Sequence, residues 1–101
     1  MSEIDVTTLA ALVRDGGATV VDVREPHEYA AGHVPGALSI PMSQIVDRLA
    51  EVTALPGPVH LVCATGNRSG QVTAWLTQQG YEAVNVTGGT VAWRSAGLPV
   101  A

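Results

Sequence analysis

The chain has 101 residues, 47% apolar and only 14% charged, which is enough for one well-filled core and too apolar for a disordered segment. Its net charge is −4, it contains no lysine, and its five arginines are scattered, so no basic patch for nucleic acid or an anionic membrane is present. A single cysteine excludes an internal disulfide, and no apolar run reaches the about 18 residues a membrane span needs.

The amino terminus, Met1-Ser2-Glu3-Ile4-Asp5, carries two acids and lacks the basic and apolar regions of a secretory signal, so a cytoplasmic location is expected. Asp5 can cap a helix in which Val6, Leu9, Leu12 and Val13 recur at helical spacing, and Gly16-Gly17 ends it. Thr19 to Val23 is a β-branched run and reads as a buried strand. His27 to Ala31 allows a short helix closed by Gly32, followed by a turn at Val34-Pro35-Gly36. Leu38 to Ile40 is a brief strand stopped by Pro41. Ser43 is expected to cap a helix with Ile45, Val46, Leu49 and Val52 on its inner side, broken by Pro56-Gly57-Pro58.

Val59 to Cys63 is the next strand, residues 69 to 79 form a helix burying Val72, Trp75 and Leu76, and Gly80 supplies its C-cap. Ala83 to Val86 is the last strand, and Gly88-Gly89 leads into a short helix carrying Val91, Ala92 and Trp93. Strands that alternate with helices and lack period-2 polarity predict one α/β domain over residues 1–101, with a mostly parallel sheet covered on both faces. Ligands of such sheets bind at the carboxyl ends of strands, where Cys63 sits.

The segment Cys63-Ala64-Thr65-Gly66-Asn67-Arg68-Ser69-Gly70 carries the chemistry. A strand delivers the cysteine, a loop of small residues follows, and a helix begins. The loop amides and the helix start can form an anion cradle that favours the thiolate. Gly66 permits a positive φ at its base, and Arg68 adds a positive charge at the rim, either contacting a substrate anion or tying the loop to the domain. A lone cysteine is commonly just a small buried hydrophobe, but this setting argues for a nucleophile. Only Ala64, Thr65, Gly66 and Asn67 separate Cys63 from Arg68, one fewer than in cysteine phosphatases. The tighter ring suits one terminal sulfur better than a phosphoryl group.

These residues resemble a known family, the single-domain rhodaneses or thiosulfate sulfurtransferases. The resemblance runs through Val21-Asp22-Val23-Arg24-Glu25-Pro26-His27-Glu28-Tyr29, Gly32-His33-Val34-Pro35-Gly36-Ala37, Ile40-Pro41, the Cys63 to Ser69 loop, and Gly88-Gly89 followed by Trp93 and Gly97-Leu98-Pro99-Val100. It implies a rhodanese-like α/β fold with a five-stranded, mostly parallel sheet flanked by helices on both faces. It also implies a six-residue loop, Cys63 to Arg68, that binds a persulfide sulfur. The implied reaction moves sulfane sulfur from thiosulfate, a polysulfide or a persulfide onto Cys63, and then to a thiol, to cyanide or to a protein acceptor. No metal or organic cofactor is required. The uncharged Ala64, Thr65 and Asn67 favour weak thiosulfate binding or another donor.

Asp22 and Arg24, on one side of a strand, are expected to brace the active-site loop, and Ser69 to support it. Glu28 reads as a bracing or solvated acid. His27, His33 and His60 lack metal-ligand spacing, and Trp75 and Trp93 read as core. Two rival readings are a rhodanese-like binding or regulatory module, and a cysteine phosphatase or arsenate reductase.

Overall fold

The computed structural model describes residues 1–101. The elements run β1 (Glu3–Ile4), α1 (Val6–Arg14), β2 (Thr19–Asp22), α2 (Pro26–Ala30) and β3 (Leu38–Ser39). A 3₁₀ turn (Met42–Gln44) precedes α3 (Leu49–Thr53), β4 (Val59–Val62), α4 (Asn67–Gln78), β5 (Ala83–Val86) and α5 (Gly89–Ser95). The five strands form one sheet in the order β1-β5-β4-β2-β3, and every pair is parallel. This is the rhodanese-like α/β architecture expected from the sequence.

The alternation of side chains along each strand divides the core in two. Val21, Val59, Leu61 and Cys63 point to one face, where Ile40, Ile45, Val52, Val72 and Leu76 cover them. Val20, Val62 and Val86 point to the other, against Val6, Leu9, Val34 and Trp93. Leu9, Leu61 and Leu76 are almost wholly out of water, and each such burial stabilises the fold by about 2 kcal/mol. Because both faces are covered, the central strands read as continuous apolar runs.

The helix boundaries follow their caps. The Asp5 carboxylate accepts a hydrogen bond from the Thr8 amide at 2.8 Å and so starts α1. Glu25 and Glu28 form a reciprocal capping box on α2, with Pro26 at its first position. Gly80, just past the Gln79 C-cap, closes α4 in a left-handed conformation.

One element was not foreseen and one expectation needs correction. The sequence gives no sign of β1, which exists because Ile4 and Glu3 align on β5 through the Asn85 amide to Ser2 O (2.9 Å) and the Thr87 amide to Ile4 O (2.8 Å). The single helix expected after Ser43 is instead a 3₁₀ turn, a run of turns, and the short α3. Ser43 lies inside the 3₁₀ turn and caps nothing. Val46 faces solvent at 67% exposure, while Ile45 and Val52 are buried. The cause is the tight start: bonds from Gln44 N to Pro41 O and from Ile45 N to Met42 O set a three-residue spacing, and Arg48 leaves helical geometry before α3 begins.

Candidate active site

Cys63 follows the last residue of β4, a strand flanked by β5 and β2, so the segments after both neighbours converge on it. The chain then turns through Gly66 at φ 104°, a conformation that suits glycine, into α4. That turn brings donors back onto the sulfur. Cys63 Sγ receives hydrogen bonds from the Gly66 amide (3.1 Å), the Ser69 amide (3.4 Å) and the Ser69 hydroxyl (3.3 Å). The residue is only 1% exposed, so the loop wraps its nucleophilic atom closely.

Two opposed influences set the thiol's acidity. Burial, the largest of them, pushes the pKa up. The Ser69 hydroxyl and the Ser69, Gly66 and Thr65 amides together outweigh it, and the net shift is below the ordinary thiol value. The site therefore makes the Cys63 thiol more acidic than an ordinary one.

Sequence reasoning did not single out Asn85, on β5. Its Oδ1 accepts from the Ser69 hydroxyl at 2.6 Å, and its Nδ2 donates to Gly66 O at 3.2 Å. One buried amide thus holds both residues that supply donors to the sulfur. The Ser69 hydroxyl has one proton for two acceptors. It either donates to Cys63 or, with that proton on Asn85, accepts from the thiol. The available signal was an asparagine within a β-branched strand, where it is disfavoured unless its amide has buried partners.

The start of α5 fixes the other side of the loop. The Thr90 amide donates to Cys63 O (2.9 Å) and the Val91 amide to Ala64 O (3.0 Å). Gly88 and Gly89, both at positive φ, make this approach between two backbones.

On the β2 side, Arg24 clasps Asp22 through Nε and Nη2, the shortest contact being 2.7 Å, and also donates to Gly32 O at 2.8 Å. Both side chains are buried. Their hydrogen bonds reach the segment after α2, not the Cys63 loop. Arg68 is held by Glu28 in a bidentate pair, Nη1 to Oε1 at 2.7 Å and Nη2 to Oε2 at 3.0 Å. Of the remaining loop residues, Ala64 is partly buried, while Thr65 and Asn67 are exposed. His33 stacks on Tyr29 and bonds its carbonyl, and His60 bonds Thr19 O. Trp93 is buried and donates to Pro99 O, whereas Trp75 packs at the margin of the core.

The Glu28–Arg68 pair has a pH signature. The Arg68 hydrogen bonds are the largest influence on Glu28 and lower its pKa from an ordinary 4.5 to about 2. A depressed carboxylate stabilises the fold above its unfolded pKa, and that contribution is lost as pH falls from about 4.5 towards 2. Glu28 is 26% and Arg68 37% exposed, so water screens the pair, and about 1 kcal/mol is expected. Urea unfolding should show wild type exceeding Glu28→Gln by that amount near pH 6, with the gap closing below about pH 3.

Comparison with known proteins matches residues 5–96 to the Rhodanese-like domain family. The chain is 40% identical to a sulfurtransferase of Allochromatium vinosum, over 99% of this chain and 94% of that protein. It is also 40% identical to the thiosulfate sulfurtransferase GlpE of Pseudomonas paraeruginosa, over 85% of this chain and 78% of the relative. Among solved structures, a rhodanese-related protein from Thermoplasma volcanium superposes with a TM-score of 0.89 at 31% identity, covering 100% of this chain and 98% of that one.

Proposed function

The chain belongs to the rhodanese-like domain family, and on that footing we propose that it is a sulfurtransferase working through a persulfide on Cys63. The Cys63 thiolate attacks the outer sulfur of a sulfane donor. A Cys63–sulfur bond forms, the donor's sulfur–sulfur bond breaks, and its electron pair leaves with the remainder, which is sulfite when the donor is thiosulfate. The terminal persulfide sulfur, still anionic, lies against the loop amides. A thiolate or cyanide then attacks that sulfur and returns Cys63 to the thiolate. Splitting the transfer in this way replaces one difficult step with two easier ones. The donors on Sγ are already in place when the thiolate attacks and again when it leaves as the persulfide is discharged, so neither step needs them to reorganise.

The observation that carries this reading is the convergence of the Gly66 amide, the Ser69 amide and the Ser69 hydroxyl on one sulfur atom. Donors aimed at a single atom suit a persulfide better than the several oxygens of a phosphoryl group. With no second cysteine, the chain cannot discharge the persulfide internally, so the acceptor is an outside thiol, small or protein-borne. Thiosulfate, polysulfides and low-molecular-weight persulfides are all chemically competent donors.

Intact-mass analysis tests the reading. Incubation with sulfane donors should add the mass of one sulfur atom at Cys63, and cyanide should remove it with release of thiocyanate. A mass that never changes with thiosulfate, polysulfide or an organic persulfide would sink the enzymatic reading and leave a binding module.

A further inference from the structure

The Cys63 loop carries one cation, Arg68, and its charge is already paired. The positive charge of Arg68 is paired with Glu28, each terminal nitrogen donating one of its N–H groups to one carboxylate oxygen. Elsewhere Arg24 is bound to Asp22, Arg48 to Glu51 and Arg14 to Asp15, while Arg94, which has no carboxylate partner, donates to Ala31 O beyond α2 and makes no bond to the Cys63 loop. The chain has no lysine, and loop residues Ala64, Thr65 and Asn67 carry no charge. The cradle itself is built from neutral peptide amides and one hydroxyl.

Resting on the sulfurtransferase reading, we infer that Glu28 is a specificity-determining residue: by neutralising Arg68 it turns the site against dianionic sulfane donors and towards donors whose leaving group carries less charge. The charge count gives the reason. Thiolate and thiosulfate bring three negative charges together, and they leave as a persulfide anion and sulfite dianion. Methanethiosulfonate delivers the same kind of sulfane sulfur with one charge fewer. The thiolate attacks its outer sulfur, the sulfur–sulfur bond breaks, and methanesulfinate leaves as a monoanion. The amide cradle stabilises the Cys63 sulfur in the same way for both donors. Only the first donor needs a further cation for its sulfonate end, and Glu28 has claimed that cation.

The test compares kcat/KM for thiosulfate and methanethiosulfonate, each normalised to its rate with a free small thiol, in wild type and Glu28→Gln. The carboxamide keeps an oxygen for the Glu25 amide, which Glu28 now accepts at 3.0 Å, but removes the charge. Glu28→Gln should raise thiosulfate kcat/KM by about tenfold and change methanethiosulfonate by less than about threefold. An unchanged ratio between the donors overturns the inference and leaves sulfur transfer intact. Failure of both donors, and of polysulfide and an organic persulfide as well, to load Cys63 in wild type instead removes the sulfurtransferase reading itself.

Should the variant fold poorly, wild type alone decides through salt. Between about 20 and 300 mM salt, thiosulfate kcat/KM should hold level or rise, because screening relieves repulsion that no cation offsets. A fall steeper than that of methanethiosulfonate would reveal a free positive charge at the mouth and overturn the inference.

Discussion

Cys63→Ser is expected to reduce sulfur transfer from every donor to the uncatalysed background, a loss of at least about a thousandfold. The reason is the acidity of the attacking atom. Burial raises the Cys63 pKa, and donors from Ser69, Gly66 and Thr65 more than reverse that rise. A serine hydroxyl in the same cradle starts several units too high for those few hydrogen bonds to ionise it, and no histidine or carboxylate contacts this position to act as base. Oxygen also cannot form the sulfur–sulfur bond that stores the transferred atom. The three donors keep an acceptor, so the fold should survive, with stability within about 1–2 kcal/mol of wild type. Turnover, intact mass and a thermal melt measured on one preparation check all three statements. Residual turnover above background would place the nucleophile elsewhere.

Gly89→Ala should be the most damaging substitution outside the loop itself. A Cβ at this position would lie 2.5 Å from Ala64 O and 2.6 Å from Ala64 C, and closer still to Cys63 O. These are backbone atoms and cannot rotate away. The same two carbonyls accept the Thr90 and Val91 amides, so the methyl group must drive α5 and the loop apart and break both bonds. The residue's φ of +57° adds strain for any L side chain. Together these cost about 3–4 kcal/mol, a drop in melting temperature of more than about 10 °C. Activity should fall further than stability explains, because moving the cradle by about an ångström costs on the order of a hundredfold. Gly17→Ala is the control: it meets no atom within 4 Å and should melt close to wild type. A Gly89→Ala protein with normal turnover would mean that α5 does not position the loop.

The three longer strands and the α1 and α4 helices were legible because their information is local. Thr19–Asp22, Val59–Val62 and Ala83–Val86 are β-branched runs, and Asp5 sits where an N-cap belongs. The Cys63 loop was legible because strand, small residues and helix start follow one another in sequence. What escaped depends on distant partners. β1 is two residues long and has no period of its own. Its register comes from β5, some 80 residues later. The 42–53 segment carries helical spacing, but the turn set by Pro41 and the break at Arg48 override it. The Glu28–Arg68 pair joins residues 40 apart, and Asn85 reaches Ser69 across 16. Nothing near either residue names its mate.

The small edge strand has a practical consequence. Ser2 O accepts the Asn85 amide, the Asn85 side chain accepts from the Ser69 hydroxyl, and that hydroxyl reaches Cys63 Sγ. Three links thus connect the second residue to the Cys63 sulfur. A purification tag fused at Met1, or a protease nick before Asp5, tugs on a line whose far end is the thiol, so preparations that differ only in their leading residues would not be interchangeable in a kinetic assay.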